Sequence, residues 1–579
     1  MLLLPVAAAA QAPAPTTTAD DARLESIYKT EWTWRMQQAP NWDEDSDNSG
    51  RKPSMQLADV GAAAQATRLV YLDGVLKQLD DVDAARLSAA NRVNLAVYRP
   101  QIEHMAAEIR FHDYEMPFNA DSSFWSDLGF MARATPTDAA GYRAYASRLR
   151  DVPRYFSQQV TNMRAGLARG FSVPRAVLAG RDGSIAMIAG LKDIESSNFY
   201  DPYRRMPASI PVAEQEALRA EARAAIRDAV VPAFANLLQF FRDEYIPGAR
   251  ATLAAEAMPD GKAWYREQIR KYTTLNLSPD EIHAIGLEQV ASIQAEMDAV
   301  IDQVGFKGTS PQTRFADFLG FLRTDPQFYA NTPQDLLDRA AWISKRVDGE
   351  VGKIIGTLPR GRFTIVAVPP DIAPFWTAGR GGADTYWLNT YDLPSRPLYN
   401  LPALTLHESS PGHSLQGSLV REQGAVPDFR KDYISAYGEG WGLYSEWLGK
   451  EMGIYQTPYE DFGRLTYAMW RACRLVIDTG VHHMGWTREQ ALAYLRDHTA
   501  LSEHEVTTEV DRYISWPAQA LSYKLGELTI TRLRHEAEQA LGPRFDVRKF
   551  HDVVLAQGSV PLPVLESQVR AYIAAAQVR

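Results

Sequence analysis

From Met55 to Gly356 nearly every segment repeats its apolar residues at helical spacing. A run of that length excludes most β architectures, because strands need a period of two. Local signals mark where helices begin. Leu277-Ser278-Pro279-Asp280-Glu281 places Ser at the N-cap, Pro at the first helical position and acids in the first turn. Ser54 and Asp138 read as further N-caps. Pro211 opens an Ala/Arg/Glu-rich helix reaching about Tyr245, and Asp20 to about Gln38 reads as the first helix, with Leu24, Ile27, Tyr28 and Trp32 on its apolar side. Pro247-Gly248 and Pro259-Asp260-Gly261 break the run, and no internal repeat of fixed period occurs.

The pattern changes near Arg362. Phe363 to Val368 is β-branched, short and closed by Pro369-Pro370, so it reads as a strand, as does Thr385 to Thr390. Gly379-Arg380-Gly381-Gly382 between them reads as a flexible loop. After Leu401-Pro402 helices resume and continue to the C-terminus. The expected fold is mainly α, with a small β-sheet just before the helix that carries the chemistry. The 579 residues far exceed one core, and a length prior gives about three or four domains. The segments divide as a leader at 1–19, an N-terminal helical region at 20–357 and a C-terminal region at 358–579, with the last two able to form one catalytic unit.

That chemistry is concentrated at His407-Glu408-Ser409-Ser410-Pro411-Gly412-His413. Two imidazoles beside a carboxylate suit a single zinc ion and a general base. The usual HExxH puts its histidines one turn apart. Here they are six residues apart, so on a regular helix they would point roughly 120° away from each other. Pro411 would clash with the carbonyl four residues back, at His407, and has no N–H to donate. Gly412 permits backbone angles that other residues avoid. The expectation is a helix broken between Glu408 and His413, with both imidazoles turned to one ion. A catalytic zinc takes three protein ligands and keeps one position for water. The third is expected at Glu439. It lies in a helix read over Tyr433–Met452, beside Gly438, Gly440 and Gly442, which weaken that helix by roughly 1 kcal/mol each. Close packing against the HExxPGH helix would account for them. Glu446 follows two turns later on the same face, placed to accept a hydrogen bond from a ligand histidine.

The strings LPALTLHESSPGH, GEGWGLYSEWLG and YKLGELTITRLR…FHDVVLAQGSVPLPVLESQV resemble the bacterial domain-of-unknown-function family DUF885, grouped with the glutamate-type zinc peptidases. The resemblance implies a two-lobed helical fold around a cleft, one zinc ion, and an oligopeptidase or carboxypeptidase. In several relatives a glutamate stands seven residues after the glutamate ligand, as Glu446 follows Glu439. The box departs from the clan's HExxH at its second histidine. Such peptidases often use a downstream tyrosine or histidine as oxyanion donor, and Tyr523 and His482 are the candidates here. Arg474 is a candidate for binding a peptide carboxylate, with an ion pair to Asp478 as the plainer alternative. Trp387 and Asn389 lie on the strand before the box, where an exposed edge would pair with an extended peptide.

The remaining sequence bounds partners and compartment. A net charge of −10 without a basic tract argues against nucleic acid. Leu2 to Ala10, followed by an Ala10-Gln11-Ala12 cleavage pattern, reads as the end of a secretory signal peptide that lacks its basic start. Export to the periplasm without stable membrane insertion follows. Cys473 is the single cysteine. It rules out thiolate-rich metal sites, it reads as a buried thiol, and with no cysteine near the leader a lipid-anchored form is not expected. Asp43-x-Asp45-x-Asp47 lacks the glycine and glutamate of a calcium loop and reads as a solvated loop. His283 reads as a packed or surface histidine rather than a ligand. The leading expectation is a zinc metallopeptidase acting on short peptides. The alternatives are a metal-dependent hydrolase of another amide or ester, and a non-catalytic exported helical binding protein.

Overall fold

A computed structural model of the chain describes residues 18–38 and 54–578, positions 134, 371 and 425 excepted. The leader before Thr18 and the Asp43–Asp47 loop lie outside the described residues. Helices dominate throughout. The cap at Ser278 forms as its sequence dictates: its hydroxyl accepts the Glu281 N–H at 3.3 Å, and the Glu281 carboxylate accepts the Ser278 N–H at 2.8 Å. Asp138 also caps its helix. Ser54 does not. Its hydroxyl closes a local turn onto the Gln56 carbonyl, and the next helix starts only at Ala62.

Several elements position the site. Helix α1 (Ala89–Arg110) belongs to the N-terminal region. Helix α2 (Pro279–Gln303) packs along its length on α6 (Pro458–His482). The contact is close at Gly286, where a Cβ would lie 2.8 Å from the Val476 side chain. Strands β1 (Thr364–Ala367), β2 (Gly379–Gly381) and β3 (Thr385–Leu388) form one sheet in the order β1-β3-β2. β1 runs parallel to β3, with Thr364 opposite Thr385, and β2 runs antiparallel, with Arg380 opposite Trp387. The Gly-rich stretch expected as a loop is therefore a strand. Its glycine is there for packing: a Cβ on Gly381 would fall 2.1 Å from the Glu408 carbonyl. The same topology corrects the expectation for Trp387. β3 is the central strand, and the edges are β1 and β2.

One apolar cluster runs from Leu24 to Ile573 and crosses the 357/358 boundary, so both regions share a core. Cys473 is fully buried within α6, and burial pushes its thiol pKa up. His283 packs between Thr479 and Trp486. Among the described residues no helix is long and apolar enough to cross a membrane.

Candidate metal centre

The helix carrying the box, α3 (Leu401–Glu408), stops where the sequence expects, and α4 (His413–Glu422) begins anew. Between them the Ser410–Pro411 peptide is cis. The chain folds tightly over the end of α3. Gly412 donates its N–H to the Leu406 carbonyl at 3.0 Å, and a Cβ there would sit 1.9 Å from the His407 carbonyl oxygen. Only glycine fits. The Trp441 indole N–H donates to the Pro411 carbonyl at 2.8 Å and ties the break to α5 (Ser435–Glu451). The result brings the His407 and His413 rings to 4.8 Å, with planes at 88°.

Glu439 on α5 completes the group. Its Oε2 lies 3.4 Å from His407 Nε2 and 3.4 Å from His413 Nε2. These are long for hydrogen bonds, which cluster near 2.9 Å. They match two corners of a tetrahedral ion: with bonds of about 2.1 Å, ligand atoms stand about 3.4 Å apart. The three side chains therefore fit a zinc ion. The Glu408 carboxylate and both imidazoles offer ligand atoms within 4.8 Å of one another, so Glu408 stands beside such an ion. His407 Nδ1 lies 2.8 Å from Glu446 Oε1, an arrangement that fixes the ring with Nε2 turned to the centre. Burial disfavours a charged His407, but the Glu439 and Glu446 carboxylates outweigh it and raise the imidazole to about 10 in the absence of an ion. The same two imidazoles hold Glu439 well below the usual carboxylate range against its own burial.

The three glycines around Glu439 each answer a different neighbour. A Cβ on Gly442 would lie 2.8 Å from the His407 imidazole, one on Gly440 would lie 2.6 Å from the Gly526 backbone, and one on Gly438 would lie 2.2 Å from the Tyr433 ring. Gly526 belongs to α8 (Ser522–Leu541), so α5 is squeezed between the histidine it faces and the helix behind it.

The centre opens into a cavity of about 1490 Å³. That exceeds the roughly 300–1,000 Å³ of drug-sized pockets. Its walls include Gln101 and His104 of α1, residues 379–382 of β2 and its turn, and α6 with α7 (Glu503–Ser515). Two tyrosines flank the centre. Tyr523 stacks toward His407 at 6.5 Å between ring centroids. Tyr433 stands 6.4 Å from the His413 ring, is 57% exposed, and hydrogen-bonds toward Glu439. Sequence reasoning missed Tyr433, because it counts as the first residue of a helix that actually starts at Ser435.

Other expected residues lie elsewhere. His482 is fully buried, outside the cavity wall. Its Nδ1 accepts the Ala255 N–H, its Nε2 faces the Tyr513 carbonyl, and burial lowers its pKa to about 3. Asn389 is also buried; its amide donates to the Ala373, Trp376 and Thr377 carbonyls and clamps the loop before β2. Trp387 does not line the cavity. Arg474 does line it, but it pairs with Glu509 at 2.7 Å and donates to the Tyr513 hydroxyl at 3.0 Å. Asp478, the partner expected from spacing, instead accepts from Tyr265 and from the Ala518 N–H.

The fold and the centre define a class: a mainly helical protein with a His–His–Glu group facing a large cavity. The chain belongs to the family described as "Bacterial protein of unknown function (DUF885)", whose model matches residues 45–569. No curated protein matches it. A solved structure described as "the putative lipoprotein from Colwellia psychrerythraea" is similar over 96% of this chain and 100% of its own, with a TM-score of 0.86 and 25% identity. A second, "a putative lipoprotein of unknown function from Shewanella oneidensis", is similar over 95% of this chain and 99% of its own, with a TM-score of 0.68 and 18% identity, and shows the fold alone.

Proposed function

We propose that the chain is an exported zinc-dependent peptidase of the glutamate-ligand type, its cavity the cleft between two helical lobes. The observation that carries this is the equal 3.4 Å spacing of Glu439 Oε2 from both Nε2 atoms, with Glu446 behind His407. His407, His413 and Glu439 hold the ion. When bound, zinc supplies Lewis acidity and lowers the pKa of a water molecule toward 7. Glu408 takes a proton from the attacking water and delivers it to the leaving amine as the C–N bond breaks. Tyr433, which hydrogen-bonds toward Glu439, and Tyr523, whose ring stacks toward His407, are the donors to the developing oxyanion in this reading. The free edge of β2 borders the same cavity, so an extended peptide adds to the sheet there by backbone hydrogen bonds. Export, with the periplasm as destination, rests on the signal-like leader and on the description of both similar structures as a "putative lipoprotein".

The test is metal content together with the products formed from a mixed peptide pool. Zinc at about one equivalent and peptide cleavage are expected, and Glu408→Gln should keep the metal and lose the cleavage. Undiminished hydrolysis by that variant, or a protein without metal, refutes the mechanism. Cleavage confined to small amide or ester substrates in a parallel screen would retain the centre and replace the peptide as substrate.

A further inference from the structure

Beyond Tyr523 the cavity wall is unusually cationic. Arg380, Arg471, Arg474 and Arg512 all line it. Their acidic partners are Asp121 for Arg380, Glu446 for Arg471, and Glu509 for both Arg474 and Arg512. Four guanidiniums thus share three carboxylates, and one positive charge is left over. Glu446 is moreover committed to His407 at 2.8 Å, against 3.6 Å to Arg471. Among the described residues the buried Arg474 Nη1, Arg471 Nε and Arg512 Nε have no hydrogen-bond partner, and neither do Glu446 Oε2 and Glu509 Oε1. A surplus cation in a partly buried wall is disfavoured unless an anion offsets it. Zinc with Glu408 and Glu439 is neutral as a set, so the centre does not supply that anion.

The arginines are not equally accessible. Arg474 is 2% exposed and lies against the Tyr523 ring, 4.3 Å from its centroid, with Trp470 at 4.6 Å. It contributes charge from behind the wall. Arg512 is the guanidinium a ligand can touch: its side chain is 16% exposed, and its Nη2 donates to Gln519 Oε1 at 3.1 Å, which holds it in place at the surface. Distance then fixes what an anion here would belong to. Tyr523 lies between the centre and this wall, its ring centroid 6.5 Å from that of His407 and 4.3 Å from the Arg474 guanidinium, and Arg512 shares Glu509 with Arg474. An extended chain advances about 3.3–3.6 Å per residue, so the step from the centre to Arg474 spans at most about three residues.

Resting on the peptidase reading above, we infer that the Arg512 wall is a carboxylate subsite for the free C-terminus of the substrate, which makes the enzyme a carboxypeptidase that releases short C-terminal fragments. The shared chemistry is a carboxylate, and an acidic side chain next to the cleaved bond is the other possible source. Binding distinguishes the two without requiring turnover. Zinc-loaded Glu408→Gln protein is titrated calorimetrically with an N-acetylated tripeptide as the free acid, as the C-terminal amide, and as an amide ending in Glu. The free acid should bind roughly ten- to a hundredfold more tightly than either amide, the range for a charge-assisted contact. Arg512→Gln should bring the ratio near one, and Arg512→Lys should restore part of it. Wild-type protein should release fragments of up to about three C-terminal residues, read by mass spectrometry. Equal binding of acid and amide overturns the subsite, as does failure of all three peptides to bind. Tight binding of the Glu-ended amide overturns the assignment to the terminus, and purely internal cleavage overturns the carboxypeptidase. If wild-type protein hydrolyses nothing while the acid still binds selectively, the peptidase reading fails and the subsite stands.

Discussion

Replacing Gly442 by alanine should strengthen a helix and weaken a metal site at once. Alanine in a helix interior is favoured over glycine by about 1 kcal/mol. At this position the new methyl would lie 2.8 Å from His407 Cε1 and Nε2, where carbon contacts normally begin at about 3.5 Å. The imidazole cannot easily yield, since it is buried and bound to Glu446 at 2.8 Å. Relief needs a shift of somewhat under about 1 Å in either the ring or α5. A displacement of that size typically costs a metal site roughly 10- to 100-fold in affinity, the effect of losing an orienting partner. The assay has two arms. Thermal melts in chelator should show a stability within about 1 kcal/mol of wild type. Zinc competition against a fluorescent chelator should show the affinity loss. Gly440→Ala is the control: its methyl meets the Gly526 backbone at 2.6 Å, so it should destabilise the apo fold by about 1–3 kcal/mol as overpacking does. Wild-type zinc affinity in Gly442→Ala would refute His407 as a ligand in the geometry described.

Glu446→Ala should leave the helices in place and lower zinc affinity about 10- to 100-fold, measured in the same competition; an unchanged affinity would show that the 2.8 Å contact does not orient His407. Burial raises the Asp478 carboxyl to about 7, above its unfolded value of 3.8, so the folded state holds the extra proton. The resulting stability is full below pH about 4 and is lost as pH rises toward 7, at up to about 1.4 kcal/mol per pH unit. Asp478→Asn should therefore gain on wild type in melts as pH rises from about 4 to about 7, and parallel pH profiles over that range would contradict this. The Cys473 thiol should resist a thiol reagent in the native protein and react on unfolding; rapid native reaction would mean that α6 opens.

Much of the centre was legible because its chemistry is local. A proline four residues after His407 and a glycine beside it must end a helix, whatever surrounds them, and α3 ends at Glu408. Ser278 caps α2 for the same kind of reason. The seven-residue step from Glu439 to Glu446 fixes a common helix face, so once one carboxylate meets His407 Nε2 the other is placed behind Nδ1. The three glycines signalled close approach, though not to what.

The sequence by itself therefore determined the helical architecture, the broken box and the common face of Glu439 and Glu446, because each follows from interactions within about two helical turns. Tertiary structure alone decided the rest. It turned a Gly-rich stretch into the edge strand β2, since only the Glu408 carbonyl of another element makes glycine necessary there. It gave Arg474 the distant Glu509 in place of Asp478, because the α6–α7 packing brings a fully buried carboxylate closer than the neighbour on its own helix. It sealed His482 away from the cavity and swung Tyr433 into it. Those outcomes depend on which faces pack together across hundreds of residues, and no local spacing encodes that choice.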